Sequence, residues 1–308
     1  MGYAVFVGDV ALDEYYRADY WPTIKDKAIV HALPAVPGGM IANAACVAAA
    51  LGLEVKFLAL LNSGAITQLL LADLQKSGVD TSLVIFDDTL PDAKCLIFLV
   101  ADEHTVLIPT LGITHIDITP AQLEVLAQAE LIYSTPVEFD LLRCGAMDSL
   151  AIIDYCRARG AKMVYDLDVD YLQDGDEARF SHLDIAFFNQ VGFDRYRGDL
   201  AQQDAATRLL AHGLELVVVT LAEQGCIVFT PHETVHVPGV AVTVVDVTGA
   251  GDTFCSSFLY ARAQGHDIRS AATFANAAAA LCVAGLGARA GAVAPEAVIQ
   301  IIRATGSD

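Results

Sequence analysis

Residues 244–260, V-V-D-V-T-G-A-G-D-T-F-C-S-S-F-L-Y, combine a turn, a helix start and an acid in a way that suits chemistry on an anion. An extended, β-branched run over residues 240–247 stops at Gly249-Ala250-Gly251, and helix-forming sequence follows. Small residues at such a junction let the backbone turn tightly and let another molecule approach it closely. The helix behind them begins with N–H groups that lack intrahelical partners, and its macrodipole adds about half a positive charge at that end. Gly249, Ala250 and Gly251 are therefore candidates for an anion cradle. Asp252 stands where a carboxylate has two uses: it caps the helix, or it faces the bound anion as a general base. A base beside a phosphate cradle means phosphoryl transfer, where positioning and charge stabilisation carry most of the catalysis.

A second constellation lies near the N-terminus. Gly8-Asp9 and Asp13 are followed by P-G-G-M-I-A-N over residues 37–43. Gly38-Gly39 serve as the entry turn of a helix, or they let a polyol approach the backbone while Asp13 and Asn43 offer polar contacts. Three other patterns lack the context that they need. The H-E-x-x-H at 232–236 lies between Pro231 and Pro238 among β-branched residues. Two His four apart on a strand stand about 13 Å apart, too far to share a metal ion, so an exposed hairpin is expected. Asp166, Asp168, Asp170 and Glu177 fall at calcium-loop positions, but Tyr171 occupies the place of the required glycine. Gly285, Gly287 and Gly291 have no strand leading into them and too little chain beyond for a dinucleotide-binding unit.

The elements that must position these residues alternate. Strands are predicted at 3–7, 55–61, 131–133, 163–166, 185–188 and 216–220, with helices at 42–51, 66–76, 145–159 and 199–212. Such alternation implies crossovers, hence a parallel sheet with helices on both faces and ligands beyond the strands' carboxyl ends. Residues 13–36 read as extended or irregular, and 81–86, 95–100 and 105–109 as β-like, outside that rhythm. A chain of 308 residues has room for one large α/β domain with a small appendage. A formal charge of −20 argues against nucleic acid and anionic membranes as partners. Seven cysteines without a C-x-x-C suggest reduced thiols and a cytoplasmic protein, and no signal peptide is expected.

The D-V-T-G-A-G-D-T-F stretch resembles the C-terminal signature of the ribokinase-like (PfkB) carbohydrate kinases. The likeness extends over nearly the whole chain and is strongest at both ends. It implies a doubly wound, mostly parallel α/β sheet with a small β-sheet lid. Residues 1–12, 37–88 and 113–308 would form the α/β domain, and 13–36 and 89–112 the lid. It also implies transfer of the γ-phosphoryl of ATP, with Mg2+, to a hydroxyl of a small sugar. In that reading Asp252 is the base and Gly249, Ala250 and Gly251 form the anion hole. Asp13, Gly38, Gly39 and Asn43 hold the acceptor, while Asn189, Thr220, Gly225 and Asn276 lie on the ATP side. Asp246, Thr248, Gly287 and Gly291 correspond to a monovalent-cation (K+) site of some members, and the lids of two chains pair as a homodimer.

Four departures narrow the resemblance. Met40-Ile41 stand where ribose-specific members carry Lys-Gly. Ala222 replaces the first glycine of the T-L-G-x-x-G nucleotide turn. Gly192 replaces the glutamate of Asn-x-x-Glu, which leaves Mg2+ to ATP oxygens, water and Asp166. D-L-D-V-D-Y at 166–171 lacks the arginine of members that act on sugar acids and phosphosugars. A neutral sugar is therefore expected, with Arg143 as the cation that could reach in. The alternatives are a nucleoside (adenosine-like) kinase, or a sugar-binding regulatory protein with weak turnover. The missing acid favours the latter, and the intact T-G-A-G-D-T-F argues against it.

Overall fold

Along the strand Ala4–Val7, Ala4 and Phe6 pack on one side while Val5 and Val7 pack on the other, and all four are buried. A strand covered on both faces requires helices on both sides of its sheet. The computed structural model, which describes residues 2–101, 103–168 and 176–305, has that arrangement. Its large sheet runs Thr234–Val237, Cys226–Phe229, Leu216–Thr220, Ile185–Asn189, Lys162–Leu167, Leu131–Ser134, Ala4–Val7, Val55–Leu58, Val79–Asp80 in spatial order. Neighbours from Leu216–Thr220 to Val79–Asp80 pair parallel. The hairpin Cys226–Phe229 and Thr234–Val237 closes one edge antiparallel. Helices Met40–Ala50, Ala250–Ala263 and Ile268–Val283 cover one face. Pro120–Ala127, Ser149–Arg157, Gln190–Arg197 and Gln202–Ala211 cover the other.

Small side chains bring the first two helices together. Ala44, Ala45 and Ala48 of Met40–Ala50 are fully buried, and the Ser256 hydroxyl of Ala250–Ala263 donates to the Ala44 carbonyl at 2.8 Å. This contact sets Asn43 beside Asp252 across more than two hundred residues of sequence.

A smaller, separate sheet grows from the end of the first strand. Its order is Glu103–Leu107, Lys94–Val100, Ala11–Ala18, Val30–Ala32, and Val36–Gly38 also pairs with Ala11–Ala18. Ala11 pairs with Gly38 and Asp13 with Val36, so both acceptor motifs lie at the root of this sheet.

The structure departs from the predicted elements in four places. The β-branched run 240–247 is not a strand, because the preceding hairpin already completes the sheet edge. Instead the Val245 and Asp246 N–H groups donate to the Val283 carbonyl, at 2.7 and 3.2 Å, and strap the segment to a helix end. The strand predicted at 55–61 breaks at Ala59 into Val55–Leu58 and Leu60–Leu61. The β-like stretch 81–86 shortens to Ile85–Phe86, which pairs with Leu60–Leu61. Helices Pro120–Ala127 and Gln190–Arg197 are additional to the prediction, although Thr119-Pro120 with Gln122 is a capping box legible in the chain. No helix among the described residues is long and apolar enough to cross a membrane, and all seven cysteines are free.

Candidate active site

The signature turn begins with Gly249 at φ 77°, in the left-handed region. A Cβ there would lie 1.9 Å from the Ala288 carbonyl oxygen, so only glycine fits against the incoming 287–291 loop. The helix Ala250–Ala263 follows at once and has no side-chain cap, which removes the capping use of Asp252. Its carboxylate does not cap; it is buried and accepts the Asn43 amide at 3.0 Å on Oδ2. Gly251 has open space where a Cβ would stand and lines a cavity, while the Ala250 N–H donates to the Val247 carbonyl at 3.3 Å. That cavity, of about 460 Å³, is lined by Gly251, Asp252, Met40, Asp166, Asp168 and Asn189 among others.

The acceptor motif assembles around Asp9 and Asp13. Asp9 accepts the Met40 and Ile41 N–H groups, both at 3.0 Å, and so anchors the helix behind Gly38-Gly39 from the end of the first strand. Gly38 lies so close to Asp13 that a Cβ would meet its Oδ2 at 2.1 Å. Asp13 is buried, and burial together with the charge of Asp9 raises its pKa to about 6 against an opposing pull from Arg289. Glu138, on the short helix Pro136–Phe139, is pushed up to about 7 by burial and by Asp9. Burial raises Asp252 well above the ordinary carboxylate range, and Asp166, Asp9 and Asp168 add to it while the Asn43 hydrogen bond opposes.

Arg289 joins these groups. Its Nε donates to Asn43 Oδ1 at 3.0 Å, its other nitrogens reach the Asp73 carboxylate and, at 3.4 Å, the Gly38 carbonyl. Arg143, the cation expected to reach the acceptor, instead donates to the Asp140 and Leu142 carbonyls at 2.7 and 2.6 Å.

The phosphate side is built by strand ends. Asp166 ends the apolar part of Lys162–Leu167 and accepts the buried Tyr133 hydroxyl at 2.6 Å. Burial and the neighbouring Asp168 raise its pKa to about 6. Asn189 donates to the Asp168 carboxylate and accepts the Gly192 N–H at 2.7 Å, capping Gln190–Arg197. A Cβ on Gly192 would meet the Leu167 carbonyl at 3.1 Å, a tight contact that a shift of a few tenths of an ångström would relieve.

A second cavity of about 610 Å³ shares Thr220, Ala222 and Gly251 with the first and is walled by Val240, Val242 and Val247. Gly225 and Asn276 also line it. The Asn276 amide nitrogen, however, donates to the Val237 and Pro238 carbonyls at 3.2 and 3.0 Å, which makes it a brace for the cavity wall. Ala222 adopts φ 50°, the backbone that the replaced glycine would favour. Asp246 takes the Thr248 N–H and hydroxyl on Oδ1, at 2.9 and 2.7 Å, and the Gly287 N–H on Oδ2 at 2.9 Å. Asp246, Thr248 and Gly287 of the expected cation site are thus joined by hydrogen bonds, whereas Gly291 sits against Thr253.

His236 lies on the exposed hairpin strand Thr234–Val237 and His232 in its turn, as expected. Of the calcium-like run, Asp170 and Tyr171 lie outside the described residues; Glu177 pairs with Arg208 at 2.5 Å.

The comparisons with known proteins agree with this geometry. The family model described as "pfkB family carbohydrate kinase" matches residues 1–295. The chain belongs to the pfkB family of carbohydrate kinases. It is similar to a probable fructokinase-5 of Arabidopsis thaliana, 27% identical over 274 residues that make up 82% of this chain and 83% of that one. Ribokinase of Bacillus subtilis strain 168 is 26% identical over 286 residues, covering 92% of this chain and 94% of the relative. The solved structure of Arabidopsis thaliana ribokinase complexed with ribose and ATP matches with a TM-score of 0.85 at 22% identity, over 98% of this chain and 99% of that one. That likeness shows the ribokinase-like fold.

For this family member, Tyr133, Glu138 and Arg289 escape sequence patterns because they act across long sequence separations, as Asp9 also does, although the Gly8-Asp9 strand end announces it.

Two glycine substitutions separate turn from cradle. Gly249→Ala must hold φ 77° against the Ala288 carbonyl, and a loss of about 2 kcal/mol or more in urea unfolding is expected. Gly251→Ala gains helix propensity worth up to about 1 kcal/mol, so stability holds or rises while phosphoryl transfer falls about tenfold or more. Full activity in Gly251→Ala would contradict the placement of the cradle. Asp13→Asn and Asp166→Asn test the buried charges. Both folded-state pKa values lie above the unfolded ones, so ionisation destabilises the fold at pH 7 and that penalty disappears as pH falls below about 4. Each variant is expected to be more stable than the parent at pH 7, by up to about 2 kcal/mol, with the gap closing towards pH 4. A variant less stable at pH 7 would refute this.

Proposed function

We propose that the protein transfers the γ-phosphoryl of ATP to a hydroxyl of a small neutral sugar, with Asp252 as general base. The observation that carries this reading is the buried Asp252 carboxylate, held by Asn43 immediately behind an uncapped helix end that opens into a cavity. The acceptor lies between Asp13, Gly38, Gly39 and Asn43. Asp252 Oδ2 is engaged by Asn43, so Oδ1 takes the proton of the attacking hydroxyl. That oxygen bonds to the γ-phosphorus as the bond to the bridging oxygen breaks, and ADP leaves. The N–H groups of Gly249 and Gly251, joined by that of Ala250 when it leaves the Val247 carbonyl to which it donates at 3.3 Å, stabilise the charge that develops on the phosphoryl oxygens, where one such donor is worth about 3 kcal/mol. Adenine fits the apolar 610 Å³ cavity, with Thr220 and Gly225 at its turn and Asn276 as a brace, while Asn189 lines the adjoining 460 Å³ cavity on the ATP side.

Asp166 and Asp168 supply a hard-oxygen donor set on the cavity wall that suits Mg2+. Held there, Mg2+ would neutralise phosphate charge, and Asp166 and Asp168 would do the holding in place of the absent glutamate at Gly192. For K+ the fit is partial. Asp246 already accepts three hydrogen bonds, so it is first a loop clamp, and an ion there would act on the turn rather than on the reacting atoms.

The neutral acceptor follows from charge. Asp9, Asp13 and Glu138 crowd the sugar side, Arg289 is already paired with Asp73, and Arg143 is bound to backbone carbonyls. An anionic sugar would meet repulsion without an available counter-charge among these groups. A homodimer through the smaller sheet is part of the same reading, since Trp21 and Ile24 beside it are exposed.

A coupled ADP-release assay with Mg-ATP against neutral sugars, sugar acids, sulfosugars and nucleosides tests the function, with Asp252→Asn alongside. Turnover on a neutral sugar that falls by roughly three orders of magnitude or more in Asp252→Asn is expected. A nucleoside as best acceptor selects the nucleoside-kinase reading. ATP binding without turnover on any acceptor selects the regulatory one.

A further inference from the structure

Asn43 touches two partners whose hydrogen-bonding chemistry is fixed. A guanidinium only donates and a carboxylate only accepts. Arg289 Nε at 3.0 Å therefore faces the Asn43 oxygen, and Asp252 Oδ2 at 3.0 Å faces the Asn43 nitrogen. Rotating the amide by half a turn would set its NH2 against the guanidinium and its oxygen against the carboxylate. Both contacts would become repulsive. Arg289 in turn is held by the Asp73 carboxylate of the helix Ala65–Lys76, and its side chain is 16% exposed. The loop that carries it also places the Ala288 carbonyl against Gly249 and Gly291 against Thr253.

We propose that Arg289 is a positioning residue for the general base: through the Asn43 amide it fixes which oxygen of Asp252 is engaged and which faces the acceptor hydroxyl. The proposal rests on the kinase reading above. Asp73, Arg289, Asn43 and Asp252 form one relay, drawn from two helices on the acceptor side, the 287–291 loop and the signature helix. Arg289 makes no contact with the reacting atoms. Its effect on the base passes through Asn43, whereas its contact with the Gly38 carbonyl and its pull on Asp13 bear on acceptor KM, so the kcat defect at Arg289 should disappear once Asn43 is gone. With the base free to rotate, the chemical step slows while nucleotide binding, in the neighbouring cavity, is preserved.

The test is a double-mutant cycle of Arg289→Gln and Asn43→Ala, read as kcat, acceptor KM and ATP KM on the acceptor found by the screen. Arg289→Gln is expected to lower kcat about 10- to 100-fold and to leave ATP KM within about twofold of the parent. The double variant should be no more than about threefold slower than Asn43→Ala alone, because coupled residues are not additive. Arg289→Lys keeps the charge but not the fork, and should recover only part of the rate. Effects that multiply in the cycle would overturn the proposal, as would an unchanged kcat with a raised acceptor KM, which would make Arg289 an acceptor ligand. Thermal unfolding and ATP binding verify each fold; should the Gln variant not fold, Arg289→Lys enters the cycle under the same criterion. Parent turnover that is lost in Asp252→Asn establishes the base beforehand. Its absence would sink the kinase reading, whereas multiplicative effects sink only the role of Arg289.

Discussion

Like charge held out of water is the constraint on which this site depends. The carboxylates of Asp9, Asp13, Asp166, Asp168 and Asp252 act on one another around connected cavities, and burial raises the pKa values of Asp9, Asp13, Asp166 and Asp252. At an effective dielectric of about 20, two such charges roughly 6 Å apart repel by about 3 kcal/mol. The fold tolerates this because four of the five acids meet a donor, and Arg289 pulls electrostatically on the fifth, Asp13. Helix N–H groups hold Asp9, Tyr133 holds Asp166, Asn189 holds Asp168 and Asn43 holds Asp252. The same crowding has a chemical use: it lifts a carboxylate towards the basicity that removing a hydroxyl proton requires.

The architecture brings these donors to one place. Parallel strands deliver Asp9, Asp166, Asn189 and Thr220 to the carboxyl-end side of the sheet, where ligands of open α/β sheets bind. Alanine-rich helices pack closely enough for Asn43 to reach Asp252. The 287–291 loop then threads between the acceptor and nucleotide halves, touching Gly249, Asn43 and Thr253.

Much of this was legible in the sequence, for reasons that differ by residue. The Gly249-Ala250-Gly251 turn is a local demand, and small residues before a helix announce it. Gly38 and Gly39 announce themselves likewise, beside Asp13. The role of Asp252 is not local: cap and base look alike until the absence of a cap and the Asn43 contact are known. Arg289 and Asp73 carry no pattern at all, because their partnership joins residues more than two hundred apart. The run 240–247 misleads because β-branched residues also suit an apolar wall, and the edge hairpin had already taken the strand position. Asn276 is near the nucleotide cavity as the signature implies, yet its amide nitrogen braces backbone carbonyls.

The most direct measurement of the central claim is the pH dependence of kcat at saturating Mg-ATP and acceptor. The base must be ionised to act, and burial with its acidic neighbours holds its pKa above the ordinary range. The account predicts an acid limb on which kcat falls as pH is lowered, displaced upwards from the value of about 4 that marks an ordinary aspartate. A kcat that stays level until pH approaches that ordinary value would contradict it, because Asp252 would then not be the crowded, buried base on which the account rests.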